Sequence, residues 1–339
     1  LRQRIPVMLV SEEITDKVLH DLIMDFKPAY VVTQKKLTHS NRCELLNKNI
    51  YHTLYEEKVH PEINILMTTS GSTGAAKFVK LSVENIQSNT KDITSYLRLT
   101  NKDNSITSLP MYYTYGLTII NTSAFSGGNL VLTNSSIAQK EFWELLEQYS
   151  VTNLAGVPYT FEILKSMRFF RRNRPNLRFI TQAGGKLDVQ IAEDLLNYCR
   201  LYEKELFLMY GQAEASPRIS YVPPNQAAAK YLTVGISVPS GKIDILDPDE
   251  SGIGEVVFTG PNVFGGYATS AMDLLDFNFS SRLETGDIGY LDDDGYLVLT
   301  GRKKRFIKLF GHRIGLDELE HHLIRTFADH TFICGGSDN

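Results

Sequence analysis

The chain has 339 residues, too many for one small core and enough for two or three packed units. Its 42% hydrophobic and 22% charged content is that of an ordinary globular protein, and a net charge of -4 argues against nucleic acid or an anionic membrane as the main partner. No apolar run approaches the ~20 residues of a membrane span, and residues 1–6 lack the apolar core of a signal peptide. The three cysteines, Cys43, Cys199 and Cys334, lie far apart with no C-x-x-C, which reads as reduced thiols in a cytoplasmic protein.

Residues 5–10 are a short apolar run. A helical pattern follows through Val18, Leu19, Leu22, Ile23 and Phe26; Pro28 ends it, and Tyr30-Val31-Val32 is the next strand. This alternation predicts a parallel α/β sheet. Residues 35–61 carry no clear pattern. The apolar run 63–67 reads as a buried strand. It enters Thr69-Ser70-Gly71-Ser72-Thr73-Gly74-Ala75-Ala76-Lys77, and Ser82 then stands at the N-cap of a helix over 82–97. Strand, Gly/Ser/Thr loop and helix together suit an anion site: glycines let N–H groups approach phosphate, hydroxyls add donors, and lysine adds charge. The loop fails the P-loop pattern, because Ala76 stands in place of its second glycine and Phe78 in place of the magnesium-binding Ser/Thr.

A strand over 105–109 leads to Leu109-Pro110-Met111-Tyr112-Tyr113-Thr114-Tyr115-Gly116-Leu117, where proline ends the strand and glycine opens a helix. The tyrosines by themselves read as core. Next come a Gly127-Gly128 turn, a helix over 138–149, a strand over 151–157 and a helix with Pro158 at its first position. The basic run Arg168, Arg171, Arg172, Arg174 reads as a solvated helix end or a docking patch. A strand over 177–181 enters Gln182-Ala183-Gly184-Gly185-Lys186-Leu187, and helix 188–200 returns to strand 205–209. Such repeated alternation predicts doubly wound sheets, whose ligands lie at the carboxyl ends of the strands. Met209-Tyr210-Gly211-Gln212-Ala213-Glu214-Ala215 falls at such an end. From Thr233 short alternating runs separated by Pro and Gly predict a small β-rich unit. Within it Glu284-Thr285-Gly286-Asp287 precedes a hairpin turning at Asp292-Asp293-Asp294-Gly295. Gly301-Arg302-Lys303-Lys304-Arg305, Gly311-His312-Arg313-Ile314 and Asp317-Glu318-Leu319-Glu320 then read as a basic strand, a turn and an amphipathic helix.

In this order the blocks resemble the adenylate-forming superfamily of acyl-CoA synthetases, luciferases and peptide-synthetase adenylation domains. The loop 69–77 matches that family's T-S-G-[ST]-[ST]-G-x-[PA]-K throughout, and 109–116 is similar to its L-P-[LM]-F-H-x-x-G turn, with Tyr113 where histidine is frequent. Residues 210–214 match Y-G-x-T-E except that Ala213 replaces threonine; 285–287 match T-G-D; 301–320 match the junction motif ahead of a mobile C-terminal domain. The resemblance implies that Thr69, Ser70, Gly71, Ser72, Thr73, Gly74 and Lys77 hold the ATP phosphates and that Glu214 holds Mg2+. It implies that Gly184, Gly185, Lys186, Tyr210, Gly211, Asp287 and Arg302 hold the adenosine. Tyr112, Tyr113 and Gly116 would line the acid pocket, and Lys304 would be the hinge. Lys77 and Glu214 are the catalytic candidates.

The implied activity joins a carboxylic acid to ATP as an acyl-adenylate, releasing pyrophosphate, for transfer to coenzyme A or a carrier-protein thiol. No protein nucleophile is needed; positioning and charge stabilisation suffice. The apolar, tyrosine-rich 109–117 segment favours an acyl or aryl acid. The implied fold is α/β: doubly wound subdomains of an adenylation domain over 1–220, a β-rich subdomain over 221–300, and over 301–339 the hinge and the start of an α+β C-terminal domain. Against the family the chain is short at both ends, and the late catalytic lysine would lie beyond Asn339. Ala213 and that lysine motivate an alternative, a catalytically impaired ATP/AMP-binding module of the same fold. A P-loop phosphotransferase is the third reading, and the failed lysine–Ser/Thr spacing argues against it.

Overall fold

The computed structural model describes residues 5–37, 44–69 and 77–303, the backbone of 306–309 and 312–315, and a few isolated residues beyond them. Three sheets carry the architecture. In the first, Val7–Leu9 runs parallel to Ile65–Thr68, which pairs antiparallel with Phe78–Leu81 and through it with Tyr267–Ala268. This corrects the expected order of strand, loop and helix. A whole buried strand, Phe78–Leu81, stands between the loop and the helix and pairs antiparallel with Ile65–Thr68, with Thr69 N–H donating to the Lys77 carbonyl at 3.3 Å. Its four residues were hidden in the sequence by Lys80, a charged residue inside an apolar run. Lys80 is 3% exposed because its ammonium donates to the Asp273 and Asp276 carbonyl oxygens (2.8 and 3.1 Å) and to the Asp276 carboxylate (2.5 Å). The helix Val83–Tyr96 then begins on the expected cap, Ser82 and Asn85 bonding each other's backbone N–H.

The second sheet has the order Ile236–Ser237, Arg218–Val222, Glu205–Gly211, Phe179–Gln182, Asn153–Gly156. The last three strands are parallel and the first two antiparallel additions. Helices cover both faces, so the parallel strands are buried throughout. The alternation along Glu205–Gly211 shows the division. Leu206 and Leu208 meet Phe161 and Leu164 of helix Pro158–Ser166 and Leu195 and Tyr198 of helix Val189–Leu201. Phe207 and Met209 meet Ile93 and Tyr96 of helix Val83–Tyr96 and Tyr115 and Ile119 of helix Thr114–Ser126. The protein is thus α/β as expected.

The third sheet is an antiparallel meander, Lys242–Leu246, Gly254–Thr259, Arg282–Leu291, Leu297–Arg302. Its Val256, Phe258, Leu283 and Leu297 join the core containing Phe179 and Phe207. Burying these side chains contributes ~1.5–3 kcal/mol each and fixes the Thr285-Gly286-Asp287 segment against the second sheet. The acidic triplet is a turn: Asp292 accepts the Asp294 and Tyr296 N–H groups, and Lys230 bonds Asp292 and Asp294. Residues 35–61, silent in the sequence, contain the hairpin Glu44–Asn47 and Ile50–His52, paired with Tyr30–Val32.

Candidate active site

The carboxyl end of Glu205–Gly211 turns sharply at Gly211. A Cβ there would stand 1.7 Å from the Pro217 carbonyl oxygen, so only glycine lets the chain pass. The next residues, Ala213–Ala215, form one short 3-10 turn that presents Glu214. Glu214 is 9% exposed, and its Oε1 accepts the Tyr267 hydroxyl at 2.8 Å. Lys77 Nζ stands 3.3 Å from the centroid of the same Tyr267 ring. The two catalytic candidates, 137 residues apart by their numbers (214 less 77), are therefore joined through one aromatic side chain. Burial and the Glu214 carboxylate raise the Tyr267 phenol above its ordinary value, so it remains a donor. Phe264, edge-on to Tyr267 at 4.7 Å, donates its backbone N–H to the Glu214 carbonyl at 2.9 Å and completes the bracket.

The second group spans two sheets. Tyr210 Oη donates to Asp287 Oδ2 at 2.5 Å, and Arg302 Nε donates to Asp287 Oδ1 at 3.0 Å. Asp287 is 5% exposed and Tyr210 half-buried, whereas the Arg302 side chain is exposed. Burial first, then the adjacent Asp287 carboxylate, pushes the Tyr210 phenol well above 10. Gln212 Nε2 reaches the Thr285 carbonyl at 3.3 Å, tying the Tyr210–Glu214 turn to the T-G-D segment. An ionised carboxylate has about four acceptor sites, so Asp287 keeps capacity for further donors beside these two.

The third group joins the tyrosine-rich turn to the glycine turn. Gly184 has φ +85°, and a Cβ on it would lie 2.5 Å from Tyr113 Oη. The two segments are in contact only because position 184 has no side chain. Gln182 Nε2 holds the Gly185 carbonyl at 2.8 Å. Tyr113 packs edge-on against the buried Tyr115, whose hydroxyl is 2.7 Å from Thr181 Oγ1. Gly116 is buried in helix Thr114–Ser126, Tyr112 is half-buried and Lys186 exposed.

Of the expected residues, Thr69, Lys77, Tyr112, Tyr113, Gly116, Gly184, Gly185, Lys186, Tyr210, Gly211, Glu214, Asp287 and Arg302 are described; Ser70, Gly71, Ser72, Thr73, Gly74 and Lys304 lie outside the described residues. Sequence reasoning missed Tyr267. Its one local signal is the Gly265-Gly266 bend before it, and nothing in that spacing points to Lys77 or Glu214. No cluster of three His, Cys, Asp or Glu occurs among the described residues. Glu214 fits a magnesium ion of the kind held by one protein carboxylate plus phosphate oxygens and waters, since its Oε2 has no hydrogen-bond partner among the described residues.

This is an α/β protein whose candidate site residues gather at the carboxyl end of a mixed sheet. The chain belongs to the AMP-binding enzyme family, whose model matches residues 5–268. It is 30% identical to the oxalate–CoA ligase of Arabidopsis thaliana over 274 residues, covering 77% of this chain and 52% of that protein. It is 27% identical to the 2-succinylbenzoate–CoA ligase of Listeria innocua over 256 residues, covering 76% and 52%. The chain thus spans about half the length of the curated relatives it matches. Among solved structures, o-succinylbenzoate coenzyme A synthetase from Bacillus subtilis in complex with ATP and magnesium ion superposes with a TM-score of 0.65 at 25% identity, covering 84% of this chain and 58% of that one. The unliganded form of that synthetase superposes at 0.72 with 20% identity, covering 94% and 71%, which bears on the fold alone.

Proposed function

We propose that this chain is the core of an AMP-forming acid–thiol ligase. The observation that carries the reading is the Lys77–Tyr267–Glu214 bracket, a cation and a carboxylate on one aromatic ring, together with the Tyr210–Asp287–Arg302 group, whose buried carboxylate keeps acceptor capacity for ribose hydroxyls. A carboxylate oxygen of the acid attacks the α-phosphorus of ATP; the bond from that phosphorus to the bridging oxygen breaks, and pyrophosphate leaves with the electron pair. The resulting acyl-adenylate is open to a thiol, which takes the acyl group and releases AMP. Lys77 and the loop 69–74 bind the departing phosphates, Tyr210, Gly184, Gly185 and Lys186 border the base, and Asp287 with Arg302 receives the ribose. Glu214 would hold magnesium, which would supply neutralisation of phosphate charge. Coenzyme A is the favoured acceptor, because the relatives are named as CoA ligases for oxalate, 2-succinylbenzoate and indoleacetate. Those names leave the acid open; Tyr112, Tyr113 and Gly116 border its pocket.

The division into α/β subdomains over 1–220, a β-rich subdomain over 221–300, and a hinge with the start of a C-terminal domain over 301–339 belongs to the same reading. The antiparallel meander over 242–302 supports a β-rich unit in that region, although Arg218–Val222 and Ile236–Ser237 belong to the second sheet and Tyr267–Ala268 to the first. Among the described residues no helix is long and apolar enough to cross a membrane; the cytoplasm, where ATP and CoA are available, is the proposed location. One observation favours the alternative of a silent nucleotide-binder: Ala213, in place of a hydroxyl, is buried among Met67, Val79 and Leu81.

The test is acid-dependent exchange of labelled pyrophosphate into ATP, run on the full reading frame across a panel of carboxylic acids. Exchange that collapses in Lys77→Ala and Glu214→Ala is the expected result. ATP binding with no exchange for any acid would transfer the assignment to the silent binder.

A further inference from the structure

A buried cation with no counter-charge lies one layer behind the tyrosine-rich turn. Arg218 is 2% exposed and opens the strand Arg218–Val222, opposite Gly211. Its backbone is pinned on both sides: its N–H donates to Asn89 Oδ1 at 3.3 Å, and its carbonyl accepts from Asn89 Nδ2 at 3.1 Å and Asn262 Nδ2 at 2.9 Å. The guanidinium stacks over the Tyr115 ring, 4.7 Å from its centroid. Its Nε and Nη2 have no hydrogen-bond partner, and no Asp or Glu pairs with it among the described residues. Arginine cannot shed its charge, and an isolated buried ion is expensive. Among the described residues no anion neutralises it, so the position suits an anionic ligand. The two open nitrogens form one edge of the guanidinium, the side-on fork that receives the two oxygens of a carboxylate in parallel.

Arg218 is among the residues that line a small, partly open cavity of about 30 Å³. That volume admits about two water oxygens, or the two oxygens of one carboxylate. Polar groups of Thr118, Thr122, Asn153 and Thr181 share the lining with Tyr115 and Arg218. Tyr115 lines this cavity and also packs edge-on against Tyr113 of the acid-pocket turn, so the cavity adjoins that turn.

We propose that Arg218 is the receptor for a second carboxylate on the acid substrate, which makes the preferred substrate a short dicarboxylic acid activated at its other end. This rests on the acid-activation reading above, and it assigns the specificity of that site. Burial and the Tyr115 ring hold the guanidinium on a backbone fixed by Asn89 and Asn262, so binding the distal carboxylate costs little ordering of the arginine. A methyl at the same place would strand the guanidinium unpaired, which is how buried charged sites reject uncharged analogues.

The experiment compares matched pairs of acids, butyrate with succinate, valerate with glutarate and hexanoate with adipate. Wild type, Arg218→Met and Arg218→Lys are each read by pyrophosphate exchange and by acid-induced thermal shift without ATP. In wild type the dicarboxylate should exceed its partner in kcat/KM by on the order of 10²-fold. Arg218→Met should bring that ratio down by a similar factor, and Arg218→Lys, which keeps charge but not the fork, should fall between. Wild type that uses the monocarboxylates as well as the dicarboxylates overturns the proposal, even if neither variant folds. So does a Met variant that lowers both members of each pair alike, the mark of a packing role. If no acid supports exchange, the acid-activation reading fails separately. The thermal shift then decides: stabilisation by dicarboxylates in wild type but not in Arg218→Met upholds the anion site, and none in either rejects it.

Discussion

Replacing Tyr267 tests whether one side chain orients both catalytic candidates. Tyr267→Phe keeps the ring under Lys77 and removes the hydroxyl bonded to Glu214 at 2.8 Å. A hydrogen bond to a charged group is worth ~1.5–3 kcal/mol, but Tyr267 is 38% exposed, so ~1–1.5 kcal/mol is the reasonable share after solvent competition. At about 1.4 kcal/mol per tenfold, Tyr267→Phe should lower kcat/KM for ATP by roughly 5–10-fold. Tyr267→Leu also removes the cation–π contact, ~0.5–1 kcal/mol at an exposed position, for a total near 10–60-fold. The assay is steady-state pyrophosphate exchange at varied ATP, with thermal melts as a control. A surface side chain should shift stability by no more than ~0.5 kcal/mol. Phe and Leu variants that both match wild type would show that the bracket orients nothing, and equal losses in the two would remove the ring from the account.

Asp287→Asn should weaken ATP binding by roughly 10–100-fold in titration calorimetry, because the amide loses the charge that receives Tyr210 and Arg302; unchanged affinity would remove Asp287 from the nucleotide site. Gly184→Ala should raise KM for the acid, since its methyl drives Tyr113 away from the turn; an unaltered KM would show that Tyr113 does not border the acid. Burial pushes the Cys199 thiol from 9.0 up to about 12 and the Tyr115 phenol from 10.0 up to about 12. Both are raised in the fold, so above the unfolded values the unfolded chain loses protons first, and stability falls as pH rises from about 9 towards 12. Melts across that window should show the decline, and Cys199→Ala should flatten its beginning; a Tm constant to pH 11 would contradict the burial argument. Native Cys199 should also resist thiol reagents at pH 8 that label the unfolded chain.

Much of the site was legible without coordinates. The loop 69–77, the turn at Tyr210–Glu214 and the T-G-D segment are contiguous stretches that stand out by residue type, and nearby local features follow from local chemistry: Gly211 passes a carbonyl, Ser82 caps a helix, and Asp292 closes a turn; the strand Phe78–Leu81 was missed. Periodicity likewise located the helices that cover the second sheet, because Phe207 and Met209 alternate with Leu206 and Leu208 whatever lies above them. What sequence could not supply was the partner of each group. Lys80 reads as a surface charge until Asp273 and Asp276, some 190 residues on by number, bring their oxygens to it. Tyr267 reads as an ordinary aromatic after two glycines until the first sheet sets it between Lys77 and Glu214. Arg218 carries no signal in the sequence, and only the fold shows it buried over Tyr115 with two unbonded nitrogens. Local conformation follows from steric and hydrogen-bonding preferences that act over a few residues, whereas charge placement depends on which segments the core brings together, and that is decided by packing across the whole chain.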